Sequence, residues 1–179
     1  MPERIVFFRG TPESAPPAPP LPSGYEGQVW RPSATRIRPP GCGLFPFVIW
    51  WLMYVLGLFG DQEYCVFLIH RNGRPVHRTV ITPRFFRFPF MAAGDLQAGN
   101  LNTAADERGK GLATTALLSL LAADPNRKRS YWYLAEEDNR ASIHVAEHAN
   151  FIKVGRGNRT SRFGLRLFGS YQIGESCHG

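Results

Sequence analysis

The chain is poor in cysteine. Its 179 residues hold three, Cys42, Cys65 and Cys177, with no CxxC pair among them. That odd, scattered set argues against a disulfide framework or a thiolate metal site and suits a reducing compartment such as the cytoplasm. A secretory leader is not expected either, because the opening MPERIVFFRG has only a four-residue apolar run. Acidic residues are outnumbered, 14 against 21 Lys and Arg, giving a net charge of +7. A positive surface suits partners that carry phosphate or other anions, without choosing among them. Internal repeats are absent. Long apolar runs are scarce too, with one exception: GLFPFVIWWLMYVLGLFG, residues 43–60, carries no charge. A bilayer core about 30 Å thick takes roughly 20 apolar residues, so this run is at the short end for a span. Pro46 and Gly57 weaken it further as a helix.

What is present predicts a mixed α/β domain. Hydrophobic residues make up 44% of the chain, enough for a core. Ile5 to Phe8 reads as a short strand. The proline-dense TPESAPPAPPLPS that follows favours extended polyproline II, and residues 1–24 are expected to form a short strand plus a flexible arm. From Tyr25 the order is strand, helix, hairpin, strand, helix, strand, helix and two final strands. The hairpin is marked by Asn72-Gly73, both tolerant of positive φ. FFRFPFM, residues 85–91, is expected to continue its second strand past a bend. Leu112 to Leu121 has helical spacing and stops at Asp124-Pro125. Asp138 or Asn139 is placed to cap a helix over 140–149, with Asn150 at the left-handed C′ position. FIKVG and FGLRLFGSYQI read as the closing antiparallel pair.

The segment Arg108-Gly109-Lys110-Gly111-Leu112-Ala113 joins a strand to a helix. Glycines there let backbone approach an anion, and a helix N-terminus offers unpaired N–H groups and positive dipole. The spacing is neither GxxxxGK[ST] nor GxGxxG. One strand later comes Asn139-Arg140-Ala141-Ser142-Ile143-His144-Val145-Ala146-Glu147-His148-Ala149-Asn150-Phe151. Together the two segments resemble the GNAT superfamily of acyl-CoA N-acyltransferases. Arg108, Gly111 and Ala113 fall in the three defined places of its Q/R-x-x-G-x-G/A signature. The later segment resembles the family helix that starts with Asn and ends in a Gly-Phe-like step, here Asn150-Phe151.

The resemblance implies a twisted, mostly antiparallel sheet flanked by helices, in a single domain over 25–179, with acetyl-CoA as co-substrate and no metal. It implies that Arg108, Gly109, Lys110, Gly111, Leu112 and Ala113 hold the CoA pyrophosphate. Leu101, Asn102 and Thr103 would bind the pantetheine arm, with Asn139 and Ser142 assisting. An acetyl group would pass directly to a primary amine in a ternary complex. The family's usual acid, a tyrosine four residues before the glycine, is replaced by Ala146. Substitutes are Tyr131, Tyr133 or a histidine of the same helix, and candidate bases are Asp95, Glu107 and His77. A CoA enzyme needs its donor, so the 43–60 run is expected to be a helical region of the fold rather than a span. Its surplus apolar surface would wall the acceptor pocket, bury in a homodimer or rest on a membrane surface.

Trp50, Trp51, Tyr54, Arg84 and Arg87 are candidate acceptor contacts, since arginines bind phosphate and aromatic faces stack on sugars and bases. They favour an anionic small-molecule amine, such as a nucleotide-linked amino sugar of polysaccharide biosynthesis, and no nucleic-acid partner. A protein or peptide amine and a non-catalytic acyl-CoA-binding module remain alternatives. A remote alternative is an HxxEH zinc peptidase, from His144, Glu147 and His148, with Glu175 as the only later carboxylate.

Overall fold

The structure, a computed structural model, describes residues 4–161 and 169–176. The part of the expected closing strand from Phe163 to Phe168, and Cys177, lie outside the described residues. The elements are β1 (Arg4–Gly10), β2 (Tyr25–Trp30), α1 (Phe47–Val55), β3 (Cys65–Arg71), β4 (Arg74–Pro83), β5 (Leu96–Thr103), α2 (Leu112–Ala123), β6 (Tyr131–Glu136), α3 (Arg140–His148), β7 (Ile152–Arg159) and β8 (Tyr171–Ser176). They build one eight-stranded sheet in the order β2-β3-β4-β5-β6-β1-β7-β8. Every pairing is antiparallel except β5 with β6.

Period-two alternation divides the sheet between two cores. On β3, Cys65, Phe67 and Ile69 face the cluster covered by α2, while Val66 and Leu68 face Phe47 and Met53 of α1. The β3–β4 hairpin turns at Asn72 (φ 51°) and Gly73 (φ 74°), as the dipeptide predicts. Asn150 takes φ 60° behind α3. The apolar run becomes α1, nine residues long, and no helix among the described residues is long and apolar enough to cross a membrane. Its outer side and flanks leave Leu52, Val55, Leu56 and Leu58 exposed.

Two expectations need correction. Residues 85–91 do not extend β4. They form a loop whose Phe88 and Met91 pack with Trp132 in a third cluster. Arg87-Phe88-Pro89 cannot continue a central ladder, because proline lacks the N–H. The second concerns residues 1–24. β1 is no appendage but lies inside the sheet, antiparallel to both β6 and β7. Ile5, Val6, Phe7 and Phe8 are all at most 3% exposed. Nor does the proline-rich stretch hang free. Glu13 N donates to Arg127 O at 3.0 Å, Asn150 Nδ2 donates to Ser14 O at 2.8 Å, and Ala15, Ala18 and Leu21 pack against the main core. The reason is geometric. β1 and β2 are five strand spacings apart, about 24 Å, and fourteen residues of polyproline II reach about 43 Å. A stiff, extended strap makes that crossing without needing hydrogen bonds of its own. A boundary at residue 24 therefore cuts through the fold.

Candidate active site

The parallel contact between β5 and β6 is short. Leu96, Gln97 and Ala98 pair with Tyr131, Trp132 and Tyr133, and beyond Ala98 the two strands are no longer paired with each other. Within that splay β5 carries a bulge. Gly99 opposes Val80 and Asn102 opposes Arg78, so Asn100 and Leu101 together face Thr79. Asn100 sits at φ 47°, a left-handed conformation that asparagine accepts more readily than most residues. The opened strands enclose a cavity of about 310 Å³ lined by Gly99, Asn100, Leu101, Tyr133, Asn139 and Ser142, with Ile5 and Tyr171 also on its wall. Tyr133 and Ala135 belong to the core under α2 and α3, while Leu134 and Tyr171 belong to the third cluster on the opposite face. The opening thus runs through the sheet.

At the start of α2, Gly109 (φ 77°) and Gly111 (φ 73°) are both left-handed, and a Cβ at either would meet nothing within 4 Å. The backbone is therefore open to a ligand on that side. The first helical hydrogen bond is Thr115 N to Gly111 O at 2.9 Å, so the amides before it are helix-end donors. The cationic side chains of the loop are exposed but tied to neighbouring groups. Lys110 Nζ lies 2.6 Å from Glu107 Oε2 and 3.2 Å from Tyr25 Oη, and Arg108 Nε donates to Thr103 O at 3.2 Å. Glu107 also accepts from Tyr25 Oη at 2.6 Å and Arg71 at 2.8 Å. The hydrogen bonds from Lys110, Tyr25 and Arg71 hold its carboxyl down to about 2. A carboxylate so engaged braces the glycine loop against β2 and β3 and is a poor proton acceptor.

The other candidate catalytic groups are placed as follows. Tyr133 donates to or accepts from Ser142 Oγ at 2.7 Å on the cavity wall, and burial raises its phenol. Tyr131 instead points to the far end of β6, where its hydroxyl donates to Asp124 at 2.7 Å. Asp95 accepts from Trp132 Nε1 at 2.8 Å and from Ala92 N, ahead of β5 and off the cavity wall. His77 is 1% exposed, with its two nitrogens 2.8 Å from Thr103 Oγ1 and Thr79 Oγ1. Burial, and then the Arg78 charge, push its pKa down to about 4. His77 is a structural link between β4 and β5.

Of the residues expected at the pantetheine, not all face the first cavity. Leu101 lines the cavity, but Thr103 is tied to His77 and Asn102 faces a second, smaller cavity. Gly99 and Asn100 take the place nearer the splay. A Gly-Asn pair inside a strand pattern is a bulge signal and marks them in the sequence. Asn139 and Ser142 are brought to the cavity by the cap of α3, in which Asn139 Oδ1 accepts from Ser142 N at 3.0 Å. Ala146, where the family tyrosine was expected, is fully buried in the main core. Of the acceptor candidates, Trp50 and Tyr54 pack on Tyr64, Trp51 Nε1 donates to Ser33 O at 2.9 Å, and Arg84 is exposed. Arg87 is off the cavity wall, its carbonyl accepting at 2.8 Å from the N–H of Tyr171, which is on it. Burial, then nearby Arg159, lowers the Arg87 pKa. His144 and His148 stack at 3.7 Å, and among the described residues no three His, Cys, Asp or Glu side chains converge.

No family model matches the sequence, and no curated protein matches it. Solved structures do. A GCN5-related N-acetyltransferase from Sphaerobacter thermophilus superposes with a TM-score of 0.60 at 21% identity, over 87% of this chain and 50% of that one. The chain has the GNAT fold. A GCN5-related N-acetyltransferase-like protein from Streptococcus suis gives 0.51 at 16% identity, over 85% of this chain and 59% of that one. A tandem GNAT protein of the clavulanic acid biosynthesis pathway gives 0.56 at 15% identity, covering 85% and 50%. The chain thus spans half to three-fifths of the length of these GNAT structures. In this GNAT fold the splay and the bulge lie on β5, and the left-handed glycines follow on the way into α2.

Proposed function

We propose that the protein transfers an acetyl group from acetyl-CoA to a primary amine. The observation that carries this reading is the coincidence of the strand splay with the glycine loop at the N-terminus of α2. The amides from Gly109 to Thr114 suit a pyrophosphate, and the splay suits an extended pantetheine running between β5 and β6. The residues present fit that donor, since no side chain fills the space over Gly109 or Gly111.

The amine nitrogen attacks the thioester carbonyl carbon, a C–N bond forms and the C–S bond breaks. Asn100 and Leu101, left outside regular pairing by the bulge, present the main-chain groups that can steady the developing oxyanion. Tyr133 is the phenol on the cavity wall, and with its proton retained by burial it serves as the acid for the departing thiolate. Ser142 orients it. The proton lost by the amine passes to solvent through the open cavity. The net charge of +7 favours an anionic small-molecule acceptor.

The test is a melting curve with and without acetyl-CoA, followed by thiol release against a panel of amines. Acetyl-CoA is expected to raise Tm, and Gly111→Asp, which adds a negative charge and strain at a left-handed residue, to abolish the shift. Absence of any shift in the wild-type protein overturns the reading. A shift without thiol release on any amine favours the non-catalytic binding module.

A further inference from the structure

A second cavity, of about 150 Å³, lies beside the first along β5. It is lined by Arg78 and Asn102 and, from the loop before α1, by Gly41, Cys42 and Gly43. Arg78 and Asn102 are cross-strand partners immediately after the bulge. Asn100 of the first cavity and Asn102 of the second are two residues apart, roughly 7 Å.

The chemistry of this cavity is lopsided. The Arg78 guanidinium stacks 5.6 Å over Phe47, and its buried Nε has no hydrogen-bond partner. No carboxylate lines the cavity among the described residues. Arg38 donates to the carbonyl of Cys42, a lining residue. The loop of Gly41 to Gly43 presses close, for a Cβ at Gly41 would come within 2.7 Å of Pro75. Arg78 thus meets no carboxylate in the cavity it lines, and the planar fork of a guanidinium matches a two-oxygen anion. We infer that this cavity holds the anionic group, a carboxylate or a phosphate, of the acceptor amine. The inference rests on the acetyl-transfer reading and specifies it. The acceptor is a small primary amine with its oxyanion about two strand residues, some 7 Å, from the nitrogen. Arg78 is then the specificity-determining contact, in place of Trp50, Trp51, Tyr54 and Arg84.

The experiment compares 4-aminobutyrate, 3-aminopropyl phosphate and neutral 4-aminobutanamide in thiol release at saturating acetyl-CoA. It uses wild type, Arg78→Met, Arg78→Lys and the remote surface control Arg4→Met. Both replacements at 78 keep an unbranched side chain of similar length, and a melting curve checks that they fold. At least one anionic amine is expected to exceed the amide tenfold or more in kcat/KM. Arg78→Met should raise its KM about 10- to 100-fold, the loss expected for a charge-assisted hydrogen bond, and Arg78→Lys less, while Arg4→Met tracks wild type. Equal use of the amide, or an equal effect of Arg78→Met on charged and neutral amines, refutes the inference while acetyl transfer stands. If no amine is turned over, or acetyl-CoA fails to bind, inorganic phosphate titrated at fixed ionic strength decides the cavity. Stabilisation of wild type but not Arg78→Met supports it, and identical curves overturn it.

Discussion

The placement of β1 makes a sharp prediction, because an arm and a central strand respond oppositely to removal. Ile5, Val6, Phe7 and Phe8 are buried on alternate faces of the sheet. Each such side chain contributes roughly 1.5–3 kcal/mol on burial, so the four together contribute on the order of 6–12 kcal/mol. A domain's whole stability is about 5–15 kcal/mol. Deleting residues 1–10 also strips the ladder partners from β6 and β7 and leaves two unpaired edges inside the sheet. The truncated protein is expected to lose cooperative unfolding. Phe7→Ala is the milder form of the same test. Phe7 is 0% exposed and meets Phe90 edge-on at 5.1 Å. Truncation of a buried Phe costs about 3–5 kcal/mol, which lowers Tm by roughly 6–20 °C in a chain of this size. The assay is thermal unfolding followed by circular dichroism, with a chemical denaturation curve alongside. A deletion variant that melts cooperatively at the wild-type temperature would refute the central placement of β1 and restore the flexible arm.

Glu107→Gln should loosen the glycine loop, raising KM for acetyl-CoA more than it lowers kcat. Because the folded Glu107 carboxyl titrates near 2, below its unfolded value of about 4.3, its stabilisation is present above pH 4–5 and fades as pH falls toward 2. The Tm gap between wild type and Glu107→Gln should narrow over that window, and a gap that stays constant contradicts the brace. Tyr133→Phe keeps the ring and removes the proton. It is expected to lower kcat about 10²-fold with little change in KM for acetyl-CoA, and full retention of kcat excludes Tyr133 as the acid. His77, held neutral with a folded pKa near 4, is lowered from about 6.5. Its stabilisation is therefore present above pH 6.5 and lost as pH falls through 4. His77→Gln should flatten the stability profile between those limits without a matching step in kcat/KM, and a lost activity step near neutrality would instead mark it as the base.

Much of the fold was legible because local rules act locally. Asn72-Gly73 fixed a hairpin, Asn139 and Asn150 marked the ends of α3, and Gly109 and Gly111 marked the loop into α2, each through backbone conformations that few residues accept. The same local signals, carried by two short segments, pointed to the GNAT fold. The Gly99-Asn100 bulge was also written in the strand, directly before the Leu101 to Thr103 that carried the pantetheine expectation.

What only the tertiary structure decided are matters of partnership between distant residues. Nothing near Ile5 to Phe8 says that they pair with 133–136 and 153–157, because strand order is set by which edges meet and not by propensity. Glu107 and Asp95 read as free carboxylates until Arg71, Tyr25 and Trp132 arrive from other elements, with Lys110 from the same loop, and engage them. The aromatic run around Trp50 and Tyr54 reads as a binding surface until Tyr64 and Phe59 fill its inner face. Arg78, one arginine among many in the sequence, stands out only when the loop of Gly41 to Gly43 closes a cavity over it. Sequence determines which conformations each stretch can adopt. Packing determines which charges are matched, which are left over, and so where a ligand belongs.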